Sequence, residues 1–83
     1  MKITRQDFII DRAVEIVQIS DKLNGFEYDI EACTDLAVVE IAHVEAEKCR
    51  AFIQEIKTMS ANHGLLEQVI AEALQQGATP RYL

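Results

Sequence analysis

The chain has no tryptophan, one proline and three glycines, and aromatic residues make up only 6% of it. So few breakers place it among globular chains, away from the disordered class. A core without many rings must be assembled from Ile, Val, Leu and Ala, the stock of packed helices. Cysteine occurs only twice, at Cys33 and Cys49, without the Cys-x-x-Cys spacing of a zinc or redox site. On one helix the two thiols would lie roughly 24 Å apart, beyond disulfide reach, so they are expected to be reduced, packed side chains. Long apolar runs are missing too. Stretches such as Leu36 to Val39 are far too short to span a bilayer, which excludes a transmembrane helix. With no apolar leader resembling a signal peptide, the expected location is the cytoplasm.

Basic residues are scarce and scattered, eight against fourteen acidic ones, for a net charge of −6. That balance excludes phosphate-driven binding of nucleic acid, which needs clustered Lys and Arg, and disfavours an anionic membrane surface. It leaves room for a basic protein partner, because complementary fields speed encounter. The same charge would also keep a small protein soluble. At 83 residues the chain forms one domain, residues 1–83. A monomer of this size buries only about 60% of the surface its unfolded chain exposes.

What is present is helical periodicity. Thr4 is positioned to cap a first helix, with Asp7 three residues on completing a capping box. This helix is expected over about 5–23, ended by Asn24-Gly25. On a wheel, Phe8, Ile9, Ile10, Ala13, Val14, Ile16, Val17, Ile19 and Leu23 cover about two thirds of its circumference. The polar strip, Asp11, Glu15, Gln18 and Lys22, is narrow. One neighbouring helix cannot hide so broad a face. It must lie between two helices or in a subunit interface.

Asp29 is a credible cap for a second, long helix over about 30–61, with Thr34-Asp35 as an alternative restart. Val38, Ala42, Cys49, Phe52, Ile56 and Met59 form an apolar seam interrupted by Glu45, as in an antiparallel helix pair. Glu45 there would either fix register between subunits or reach solvent and pair with Lys48. The opposite strip, Glu40, His43, Glu47, Arg50, Gln54 and Lys57, is solvated, with Glu47 and Arg50 placed for an intrahelical ion pair. Residues 60–64 break the pattern, a third helix follows over 65–76, Gly77 ends it, and 78–83 are expected to form a loose tail, with docking of Tyr82 and Leu83 on the body or on a partner as the alternative. The expected fold is therefore all-α, a small bundle of two or three helices completed by self-association.

Chemistry-bearing motifs are sparse. Glu40 and His43 form one Glu-x-x-His, the spacing that places two ligands on one face of a di-iron bundle. A second such motif and further inward carboxylates are lacking, so a metal-binding carboxylate-histidine bundle is the alternative reading and no cofactor is expected. Lys48 and Arg50 flank Cys49 in sequence and would activate a thiol beside them. Adjacent helical residues point apart, however, and Cys49 belongs to the seam. No Gly-rich loop and no Ser, His and acid set exists for phosphate binding or nucleophilic catalysis. A helix-turn-helix reading of the break before the third helix fails on 65–76, which has no Lys or Arg.

The sequence thus reads as an acidic, non-catalytic protein–protein interaction module that forms a homodimer. Its interface candidates are Ile9, Ile10, Ile16, Val17, Phe52, Ile56 and Met59. Such a profile suits phage- or plasmid-type accessory proteins that modulate a host factor.

Overall fold

The computed structural model describes residues 3–83. They form three α-helices and no strand: α1 (Arg5–Ala32), α2 (Leu36–Asn62) and α3 (Leu66–Gln75), then a 3₁₀ turn at Pro80–Tyr82. At about 1.5 Å per residue, α1 and α2 are rods of roughly 40 Å and α3 is near 15 Å. The molecule is correspondingly elongated, 47 × 21 × 20 Å.

The start of α1 follows its sequence. Thr4 Oγ1 accepts from the Asp7 amide at 3.0 Å and Asp7 Oδ2 accepts from the Thr4 amide at 3.3 Å. Its end does not. The helix passes through Asn24-Gly25 and stops only at Cys33, instead of near Leu23. An isolated glycine costs a helix about 1 kcal/mol, and tertiary contacts on both sides of Gly25 offset it. Leu23, Phe26 and Ile30 pack against α2, while Asn24 and Glu27 bond the C-terminal turn. The second helix is corrected likewise: Asp29 lies inside α1. The break falls at Cys33–Asp35, where Asp35 Oδ1 caps α2 by accepting from the Ala37 amide at 3.0 Å.

The two later breaks are glycine-made. Gly64 (φ 71°) and Gly77 (φ 105°) adopt the left-handed conformation. Each closes its helix with a paired motif: Leu65 N to Ser60 O with Gly64 N to Ala61 O, and Ala78 N to Ala73 O with Gly77 N to Leu74 O.

The stripe that α1 buries is Ile9, Ala13, Ile16, Ser20 and Leu23, at alternating spacings of four and three. Against it α2 turns Ala42, Ala46, Cys49, Ile53, Ile56 and Ser60. Alanines and serines at five of these eleven positions let the rods approach closely. The expected seam is therefore rotated. Val38, Phe52 and Met59 remain exposed, Ala46, Ile53 and Ser60 take their places, and Glu45 sits at the margin, paired with Lys48 at 3.3 Å. α3 adds Val69 and Ala73, with Leu65 and Ala78 flanking it, over the end of the hairpin that holds Ile9, Ala13, Ile16 and Ile56. Along that stretch α1 is sandwiched between two helices, the first of the two solutions its broad apolar face allows.

Residues 78–83 are not loose. The Thr79 amide donates to the buried Ser20 Oγ at 2.9 Å, Asn24 Nδ2 donates to Thr79 Oγ1 at 2.7 Å, and Lys57 Nζ donates to Leu83 O at 2.6 Å. Tyr82 and Leu83 pack on the second core cluster, around Leu23, Ala46, Cys49 and Ile53.

Candidate interaction surface

The interface candidates fall into two groups. Ile16 is fully buried, Ile56 is 2% exposed and Ile9 is 8% exposed, all within the chain's own core, and Val17 is half-buried against it. Ile9, Ile16 and Ile56 are therefore covered by the chain's own helices, whereas Val17 keeps part of its surface open. Ile10, Phe52 and Met59 are 38–44% exposed and lie outside the core.

A longer apolar stripe occupies the outward side of α2. Ile41 and Val44 are the most exposed apolar residues in the body of that helix, at 63% and 55%. With exposed Ala37 and Ala51 they lie at 37, 41, 44 and 51, a heptad pattern in which Lys48 takes the intervening position. At 100° per residue this stripe sits roughly 140° around the helix from the buried one, so α1 and α3 leave it uncovered. Sequence reading missed it, because both faces of α2 carry apolar residues at spacings of three and four and periodicity alone cannot rank them. The signal that could have found it was the 37, 41, 44, 48, 51 repeat itself.

The stripe is acid-rimmed. Glu40 and Glu45 border Ile41 and Val44 in one shallow depression of about 310 Å³. Glu47 and Glu55 are exposed on the same helix. Lys48 bonds Glu45, whereas Glu40, Glu47 and Glu55 have no ion-pair partner among the described residues.

The expected Glu47–Arg50 pair is not formed. Arg50 reaches across to Glu27 at 3.0 Å, and Arg81 meets the other Glu27 oxygen at 2.9 Å. The Tyr82 hydroxyl lies 2.9 Å from both Asn24 Oδ1 and Glu27 Oε2, sharing one proton between two acceptors. Burial pushes the Glu27 carboxyl up. Hydrogen bonds from Tyr82 and Arg50, and the charges of Arg81 and Arg50, outweigh it and hold the group below its ordinary range. Glu27 is thus a structural anchor joining α1, α2 and the C-terminal turn.

A depression of about 700 Å³ opens where α1 begins and α2 turns into α3, lined by Ile3, Arg5, Phe8, Arg12, His63 and Leu65 among others. Its residues already bind one another. Phe8 and His63 have ring centroids 4.8 Å apart, the Arg12 guanidinium carbon lies 5.3 Å from the Phe8 ring centre, and Arg12 Nη2 donates to Glu15 at 2.6 Å.

The metal alternative finds no assembled site. Glu40 and His43 are both exposed, and no three His, Cys, Asp or Glu residues come together as a donor set among the described residues. Cys49 is buried, and desolvation, with the charge of Glu45 adding to it, raises its thiol pKa. That is the opposite of what Lys48 and Arg50 would impose on an activated nucleophile. No helix among the described residues is long and apolar enough to cross a membrane. No protein-family model, curated protein or solved structure matches the chain.

Proposed function

We propose that this chain is a protein-binding module that acts without chemistry of its own and engages its partner through the outward face of α2. The observation supporting this reading is the Ala37, Ile41, Val44, Ala51 stripe, whose two large members are more than half exposed on a continuous helix. Apolar side chains aligned at heptad spacing on one uncovered face gain free energy by meeting another apolar surface. Isolated exposed hydrophobics need no such account.

The proposed surface excludes Ile9, Ile16 and Ile56, which lie inside the bundle. The double variant Ile41→Gln/Val44→Gln provides the test, since it removes the apolar atoms without altering charge. Proteins retained from extracts of cells that express the chain are compared between parent and variant, with helicity and thermal unfolding checked for both. A protein held by the parent and lost by the folded variant supports the reading. Identical recoveries overturn it.

A further inference from the structure

We infer that the occupant of this face is a basic amphipathic helix from a different protein, and not a second copy of this chain. The inference rests on the proposed binding role of α2 and adds the chemistry of the partner. A straight helical stripe of about four turns, Ala37 to Ala51, is complementary to another helix laid along it, because heptad spacing on one side requires matching spacing on the other. Its small residues, Ala37 and Ala51, allow close approach at the ends, and Ile41 and Val44 supply the apolar contact between them.

Charge selects among helices. Glu40, Glu45, Glu47 and Glu55 stand along this part of α2 against two cations, Lys48 and Arg50, which are already engaged by Glu45 and Glu27. Two copies packed face to face would bring unpaired carboxylates on both chains together, and like charges across an interface oppose association. A helix with Lys or Arg beside its own apolar stripe would instead neutralise Glu40, Glu47 and Glu55, none of which has an ion-pair partner among the described residues. The chain's net charge of −6 extends the same attraction to longer range.

The probe is a synthetic peptide with leucine at heptad positions and lysine beside them, together with a scrambled peptide of identical composition. Binding to the full chain is measured by fluorescence anisotropy at low and high salt. The patterned peptide is expected to bind at least about tenfold more tightly than the scrambled one. Ile41→Gln/Val44→Gln should remove that preference, and Glu40→Gln/Glu47→Gln should weaken binding several-fold while flattening its salt dependence. Equal binding of both peptides would overturn the inference, because it would reduce the effect to net charge.

Dimerisation of the parent chain in light scattering, abolished by Ile41→Gln/Val44→Gln, would also overturn it by assigning the face to a second copy, yet would leave the protein-binding reading standing. That broader reading fails separately, through unchanged protein recovery with the double variant.

Discussion

The two ends of the bundle are built differently. At one end α3 lies over the hairpin, and Ile9, Ala13, Ile16, Ile56, Leu65, Val69, Ala73 and Ala78 form a cluster drawn from all three helices. At the other, α1 and α2 run on as a two-helix arm whose cluster is Leu23, Ala46, Cys49 and Ile53, closed on one side by Tyr82 and Leu83. A third layer gives the hairpin a second covering face, whereas two layers leave each helix a wider outer face. The first arrangement makes stability, and the second presents surface. The exposed stripe of α2 starts on the arm, where no third helix competes for it.

The largest effect belongs to the covered end. Ile16→Ala empties a fully buried site in the cluster drawn from all three helices, and should cost about 3 kcal/mol in denaturant unfolding. A loss below about 1 kcal/mol would mean that this end is not the stability core and would break the comparison.

Next comes the strap between the ends. Ser20→Ala removes the buried oxygen that accepts from the Thr79 amide, and should cost about 1–2 kcal/mol. Amide exchange would speed most over residues 79–83, and unchanged exchange there would show that the turn is held by other contacts.

Acidification acts on the arm through Glu27. Its folded pKa lies below the ordinary one, so the folded state binds fewer protons than the unfolded chain between the two values. The Glu27 contribution is therefore fully present above the ordinary carboxyl range and is lost as pH falls through the depressed folded value. Glu27→Gln should flatten that acid limb, and an unaltered acid limb would remove Glu27 from the account.

The smallest effect is expected on the outer face. Ile41→Gln/Val44→Gln should change unfolding free energy by less than about 1 kcal/mol, because neither side chain is buried. A loss as large as that of Ile16→Ala would mean that the stripe supports the fold and is not a free surface.

Much of the fold was legible along the chain. The Thr4–Asp7 box and the two glycine closures at Gly64 and Gly77 are made by residues within a few positions of one another, and their chemistry reads locally. The α3 limits, expected at 65–76 and found at Leu66–Gln75, follow for the same reason. The candidate site was less legible. Phe52 and Met59, expected on the packed seam, are exposed together with Ile10, and Ile9, Ile16 and Ile56, expected at an interface, lie in the chain's own core. Where a helix has more apolar circumference than one neighbour can cover, periodicity identifies the surplus without saying which part is covered.

What the sequence determined by itself is that the chain is helical, where its helices can start, and that α1 must be covered on more than one side. Hydrogen-bond caps, glycine conformations and the 3.6-residue repeat are properties of short segments, so they survive without knowledge of the rest. Only the tertiary structure decided that Gly25 stays helical, that Glu27 takes Arg50 away from Glu47, and which of two apolar stripes on α2 is buried. Those outcomes depend on groups more than twenty residues apart, whose meeting is set by the packing of α1 on α2 and not by their neighbours in the chain.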